Sequence, residues 1–203
     1  MPKLDIVVLI PESTRKARGG MQAPSSQDSV SQALAPDARR KLASLRAEVR
    51  AKAPKDSMDF SSAMPAYLRF QGNMFRRIPR SAWEARKEGV EVLIVSGLRG
   101  LVASRDPVPW YHLSMAEPTE PFGRLNRWWH DRGLPGILAA YLEAVRPKQV
   151  VDLLSLEYRE AVSGYSEGLR GIPVKTVDFP GLGRASQPRR GERVAELLRT
   201  GKV

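Results

Sequence analysis

Apolar residues along this chain fall into short unbroken runs separated by stretches of three-to-four spacing, the alternation of a mixed α/β sheet protein. The run over residues 4–10 is short, largely apolar and β-branched, and Pro11 ends it, which predicts a buried strand. Residues 91–95, 111–115, 149–154 and 173–179 predict four more. Helical spacing is clearest over 36–52, where Ala38, Leu42, Leu45 and Val49 share a face, Pro36 suits the first turn and Pro54 lies past the end. Residues 125–129 and 137–145 are further helices, the second stopped by Pro147, and 156–162 and 192–199 are shorter ones. The expected fold is α/β, a mixed central sheet flanked by helices in one domain over 1–203. Residues 12–35, rich in Ser, Gln, Gly and Pro, read as a mobile loop.

The segment Val95-Ser96-Gly97-Leu98-Arg99-Gly100 runs an apolar strand into a double-glycine turn. Gly97 and Gly100 permit positive φ and a close backbone approach, which suits a phosphate cradle. It equally suits a tight strand-to-helix connection. A second glycine segment, Phe179-Pro180-Gly181-Leu182-Gly183-Arg184-Ala185, has the residue order of a helix-hairpin-helix turn, although a strand pattern rather than a helix precedes it.

Charge adds a class of partner. The 203 residues carry 33 Lys and Arg against 22 Asp and Glu, a net +11 that attracts polyanions. The helix over 36–52 has six basic residues on its polar face (Arg39, Arg40, Lys41, Arg46, Arg50, Lys52) against Asp37 and Glu48. Residues 61–80 hold no acid and four arginines, Arg69, Arg76, Arg77 and Arg80, interleaved with Tyr67, Phe70 and Phe75. Such interleaving suits nucleic acid, with guanidinium groups on phosphates and rings on bases. Phe70, Met74, Phe75 and Ile78 also form one core-facing stripe, so the aromatics are expected inside and the arginines outside. Arg184, Arg189, Arg190, Arg193 and Arg199 extend the basic character to the C-terminal segment.

Other chemistry is excluded or weak. With no cysteine and two histidines, thiolate catalysis and cysteine- or histidine-rich metal sites are out, and no metal or cofactor is expected. No run approaches the roughly 18 apolar residues of a membrane span, and the opening apolar run is too short for a signal peptide, so a cytoplasmic location is expected. A catalytic set can be assembled from Ser13, Lys16, Tyr111, His112, Ser155 and Glu157. Glu157 is its leading general acid or base, through burial beside a strand end, and His112 its second. Ser155 and Glu157 also fit the cap and first turn of the helix that follows them. Of Trp128 and Trp129, one is expected in the core and one is free to stack a base.

Several segments, in order along nearly the whole chain, resemble the YaaA family of peroxide-stress proteins. Ile10-Pro11-Glu12-Ser13-Thr14-Arg15-Lys16 is similar to its first strand and Pro-Ser-x-x-Lys turn. Arg69-Phe70-Gln71-Gly72 stands at its aromatic–Lys-Gly segment. Ser96-Gly97-Leu98 with Gly100, Asp106, Tyr111, Leu113 and Met115 is similar to its Ser-Gly-Leu-Tyr-Gly through Tyr-Arg-Leu-Glu-Met block. Trp129 matches its Phe-Trp position, and Asp152-Leu153-Leu154-Ser155-Leu156-Glu157-Tyr158 its Asn-Leu-Ala-Ser-x-Glu-Tyr block. The resemblance implies a compact α/β fold with a basic cleft, a helix-hairpin-helix-like element, DNA binding and protection against peroxide. Gln71, Arg99, His112 and Ser114 replace the family's Lys, Tyr, Arg and Glu, and its Lys-Lys-Ala-Arg-Gly turn survives only as Gln187-Pro188-Arg189-Arg190-Gly191. The partner expected is therefore nucleic acid, DNA before RNA, or a nucleotide-like small molecule. Phosphate contacts are expected at Arg15, Arg69, Gln71, Gly72, Arg76, Arg77, Gly97, Arg99, Gly100, Arg184, Arg189 and Arg190, with an enzyme acting in the same cleft as the alternative.

Overall fold

A computed structural model of the chain describes residues 4–21 and 28–203. Its first strand, β1 (Ile6–Pro11), is buried along its whole length. Because successive strand residues face opposite sides, a fully buried strand must be covered on both faces, which places β1 at the centre of the fold.

The chain from 12 to 35 departs from the expected loop. Lys16 pairs with Phe70 and Met21 with Ala63 in antiparallel bridges, and a short helix, α1 (Ser29–Ala33), is capped by the Asp28 carboxylate accepting from the Ser31 N–H. Residues 22–27 lie outside the described residues. The long helix α2 (Pro36–Lys52) buries Leu42, Leu45 and Val49, as its spacing predicts. Its basic face is not uniformly solvated. Arg46 turns inward, donates to the carbonyls of Arg99 and Leu101 at 2.9 and 2.7 Å, and pairs with Asp28.

A ribbon absent from the sequence reading follows. Strand β2 (Met58–Pro65) leads through α3 (Ala66–Arg69), a tight turn over Phe75–Arg77 and α4 (Arg80–Glu84) to β3 (Val90–Ser96). The double-glycine segment then joins β3 to β4 (Gly100–Ala103), with Ser96 opposite Gly100, so it is a hairpin and not a strand-to-helix turn. Gly100 has φ +69, and a Cβ there would stand 3.0 Å from the Trp129 ring. The strand expected over 111–115 is instead β5 (Pro107–Tyr111), paired with β2 and not with the main sheet. Pro107 and Pro109 suit a two-stranded ribbon because proline lacks the N–H a central strand donates. A small hairpin, β6 (Pro118–Thr119) and β7 (Gly123–Arg124), precedes α5 (Leu125–Asp131) and α6 (Leu134–Val145). Helix α6 ends with Arg146 in the left-handed region at φ 42, just before Pro147.

The last part holds β8 (Gln149–Asp152), α7 (Leu156–Val162), β9 (Val174–Thr176) and α8 (Ser186–Thr200), the last twice the length its apolar spacing suggested. The main sheet has the order β4-β3-β1-β8-β9. β1 runs parallel to β3 and β8, β8 parallel to β9, and β4 is antiparallel at one edge. Between Phe179 and Ala185 the chain passes from a strand to a helix, so this segment lacks the first helix of a helix-hairpin-helix. Among the described residues no helix is long and apolar enough to cross a membrane.

Candidate functional site

After β1 the chain leads, through α1, α2 and the β2 ribbon, to β3 on one side; after β8 it leads through α7 to β9 on the other. The two loops leaving the carboxyl ends of β1 and β8 therefore diverge and open a crevice between them. This is the switch point at which open α/β sheets take ligands.

The crevice has a volume of about 470 Å³. The loop after β1 supplies Ser13 and Arg15, the loop after β8 supplies Ser155 and Glu157, and Gly72 closes one wall. That wall is set by backbone pairing: the Gln71 N–H donates to the Arg15 carbonyl at 2.9 Å and the Ala17 N–H to the Arg69 carbonyl at 2.8 Å. Gly72 then approaches so closely that a Cβ would lie 2.3 Å from Ser13 Oγ, so a larger residue there would have to turn the Ser13 hydroxyl aside. Helix α8 reaches the same wall through Gln187, because Gly191 lets it lie against the Met74 carbonyl.

A charged cluster lies beneath. The side chains of Glu12 and Lys16 are fully buried, with Nζ 3.7 Å from the carboxylate. Glu12 accepts from the Gly97 N–H at 2.8 Å and, through its other oxygen, from the Tyr111 hydroxyl. The Tyr111 hydroxyl also lies 2.7 Å from Ser96 Oγ. Lys16 donates to the Ser13 carbonyl at 2.8 Å and sits 3.9 Å from the centre of the Tyr111 ring. Burial pushes the Glu12 carboxyl up from its ordinary value and outweighs Lys16 and the hydrogen bonds, which act the other way. Burial likewise pushes Lys16 down and the Tyr111 and Tyr158 phenols up. The arrangement can hold a proton beneath the crevice floor, where the Glu12 side chain is sealed while the residue itself borders the cavity.

The structure thus brings Ser13, Arg15, Gly72, Ser155 and Glu157 to one cavity, with Lys16, Tyr111 and Gly97 behind it. Ser155 occupies the position before α7 without its side chain capping the helix. The burial expected of Glu157 belongs to Glu12; Glu157 is exposed. The sequence reading gave Glu12 no role of its own, although a carboxylate directly after an unbroken apolar strand was the available signal.

Other expected residues stand elsewhere. His112 is exposed, with its backbone N–H on the Ser57 carbonyl, and does not border the crevice. Arg69, expected outside, is buried and donates to the carbonyls of Val108, Ala17 and Gly19, which makes it a structural staple. The Gly97 N–H, expected on a phosphate, is donated to Glu12, and its carbonyl accepts from Trp129 Nε1 at 2.9 Å. Gly100 packs on Trp129 and Leu134. Arg99 is largely buried and donates to the Pro107 carbonyl at 3.3 Å. Gln71 and Arg76 border a different hollow beside Tyr67, Arg77 is exposed next to Gly191, and Arg189 pairs with Glu192 at 3.3 Å. Arg184 lies in the turn Gly183–Ala185 that leads into α8. Trp129 is in the core, and Trp128 is partly buried edge-on against it.

A second cavity, of about 540 Å³, adjoins the first and shares Ser155, Glu157 and Gln187 with it. It is bordered by Arg159, Asp178 and Arg190.

These features define an α/β protein with a ligand-sized crevice at the switch point of a parallel sheet, floored by a buried carboxylate, lysine and tyrosine. Residues 13–184 match the family described as Peroxide stress protein YaaA, and the chain belongs to that family. No curated protein matches it. Among solved structures, that of AF0587, a protein of unknown function, aligns over 100% of this chain with 16% identity and a TM-score of 0.40. The chain spans about half of that protein, 47% of its length.

Proposed function

We propose that this YaaA-family chain binds nucleic acid, DNA before RNA, or a phosphorylated nucleotide-like ligand in the crevice between the β1 and β8 loops, as part of protection against peroxide. One observation carries the reading: Ser13 and Arg15 from one diverging loop meet Ser155 and Glu157 from the other around a single cavity at the sheet's switch point. The net charge of +11 favours a polyanion over a neutral ligand. Cations border both cavities, Arg15 the first and Arg159 with Arg190 the second. The carboxylates of Glu117 and Glu157 lie on the first cavity's lining, where they suit amino groups of bases rather than phosphates.

The test is fluorescence anisotropy of labelled single- and double-stranded DNA over a salt series. Each phosphate neutralised contributes about 0.9 to the log–log slope on duplex and about 0.7 on single strands. A steep slope is expected; a flat one, or no binding at about 50 mM salt, overturns the nucleic-acid form of the reading, and a nucleotide that also fails to bind overturns the rest.

A second reading, acid–base catalysis on a nucleobase or nucleotide in the same crevice, is favoured by the proton-holding environment of Glu12. Of the two residues expected in the acid–base role, Glu157 borders the crevice and His112 does not, and Glu12 lies sealed beneath it. A bound ligand raises the stability of the native state. A nucleotide and metabolite panel that leaves the melting temperature unchanged removes this reading.

A further inference from the structure

Arg190 lies deep in α8, 4% exposed, yet its Nε and Nη1 have no hydrogen-bond acceptor. Its contact with the Phe179 ring, 5.2 Å from guanidinium carbon to centroid, satisfies charge but no N–H group. A buried guanidinium in this state is costly unless something else accepts from it. Two of the neighbouring carboxylates are occupied, and the third, Glu157, stands exposed on the cavity's edge. Asp178 pairs with Arg159 at 3.0 Å, and Asp152 accepts from the Leu154 N–H at 2.9 Å and from Arg159 and Tyr165 at 3.4 Å each. Burial and the Arg159 charge both push Arg190 down from its ordinary range, while Asp178, Asp152 and Glu157 pull it back.

An independent feature points into the same cavity. Ser186 and Gln187, which border it, open α8, a helix of 15 residues whose N-terminus has no side-chain cap. The positive end of a helix dipole stabilises an anion within its first turn.

We propose that this second cavity is a subsite for a terminal phosphate monoester, belonging to a nucleotide or to a phosphorylated strand end, held by Arg190 and the first turn of α8. A monoester offers three unesterified oxygens and a charge of about −1.5 to −2. Three kinds of donor border the cavity: the Arg190 guanidinium, the Ser155 and Ser186 hydroxyls, and the helix terminus. A charge near two also offsets a second guanidinium, Arg159, beside carboxylates that already engage it. The subsite deepens the crevice reading by naming the end of the ligand that lies beyond Glu157, and its nucleotide part rests on that reading.

Inorganic phosphate is the first probe, against chloride at matched ionic strength. Phosphate should give a saturable rise in melting temperature that Arg190→Gln abolishes and Arg189→Gln, an exposed change on the same helix, retains. In the wild-type protein the Arg190 Nε–H resonance should shift during a phosphate titration, a readout that needs no variant to fold. No rise beyond that in chloride, an unmoved resonance, or an equal rise in a folded Arg190→Gln overturns the subsite.

Oligonucleotides with a 5′-phosphate and a 5′-hydroxyl, and a nucleoside with its monophosphate, identify the source. At least tenfold tighter binding of the phosphorylated member is expected in the pair that binds. Binding of phosphate without any oligonucleotide or nucleotide binding removes the crevice reading and supports the subsite alone. Oligonucleotide binding indifferent to the terminal phosphate and to Arg190→Gln leaves the crevice reading and overturns the subsite.

Discussion

The Tyr111 hydroxyl donates to the carboxylate of Glu12, a residue 99 positions earlier, and both side chains are buried beneath the crevice. This bond ties the end of the two-stranded ribbon to the end of the central strand of the main sheet. Ser96 and Gly97, at the end of β3, join the same network. Three segments therefore meet at one carboxylate, and the floor of the site is also a junction of the fold.

Removing that carboxylate should cost stability in proportion to the donors it leaves behind. Glu12→Ala strands the Tyr111 hydroxyl, the Gly97 N–H and the Lys16 charge, and is expected to destabilise by about 3–5 kcal/mol. Glu12→Gln keeps the shape and one acceptor and should cost less than half as much. Urea unfolding of the two variants checks the order.

The same residue sets a pH dependence whose sign follows from its burial. The folded state holds the Glu12 proton above the ordinary value of 4.5, so this group's contribution is present in full below that pH and is lost as pH rises through the folded value. Lys16 acts in a higher window: its folded value lies below 10.5, so its contribution is present above 10.5 and is lost as pH falls through the folded value. Urea midpoints measured across pH should decline from about 4.5 in the wild type, and Glu12→Gln should flatten that decline. A decline of equal slope in both proteins would mean that Glu12 is ionised in the folded state throughout.

Arg69 separates structure from binding. Its guanidinium bridges the β5 carbonyl of Val108 and the carbonyls of Ala17 and Gly19. Arg69→Met removes the donors and leaves buried carbonyls, with an expected loss of about 2–4 kcal/mol. The salt slope of any DNA binding should stay unchanged. Arg15→Gln, on the exposed crevice edge, should do the reverse: no change in the unfolding midpoint, and a duplex slope lower by about 0.9.

Arg99 predicts a gain. Its Nε is buried without an acceptor, and burial together with Arg46 pushes the guanidinium down from its ordinary range. Arg99→Met keeps the apolar stem and removes the strained charge, and should stabilise by about 1 kcal/mol, a rise of roughly 2–4 °C in melting temperature. Differential scanning calorimetry reads it directly.

Gly100→Ala should destabilise by about 1–3 kcal/mol, since φ is +69 and the new Cβ would press on the Trp129 ring and the Leu134 side chain. A variant as stable as the wild type would place the hairpin in another conformation. Thermal unfolding decides.

The sequence by itself determined a mixed α/β core and the helix over 36–52. Residues 6–10 and 92–95 are apolar on both faces and Val150-Val151 continue the pattern, which suits a sheet covered on each side, and the 36–52 helix carries its own start, stripe and stop. It also determined the family, because Ser13, Ser96-Gly97-Leu98 and the 152–158 segment keep their order along the chain. The ribbon of β2 and β5 escaped, since half-buried strands broken by prolines and serines have no clean period of two. Tertiary structure alone decided which charges are exposed. Nothing local distinguishes Arg69, sealed among carbonyls, from Arg76 in solvent, and only its place directly after a buried strand sets Glu12 apart from exposed Glu157. Burial depends on what distant segments bring to a residue, and the partners of Glu12 lie from 4 to 99 positions away. Sequence spacing fixed the elements, while the packing of loops at the sheet's carboxyl end fixed which of their polar groups can hold a proton or meet a ligand.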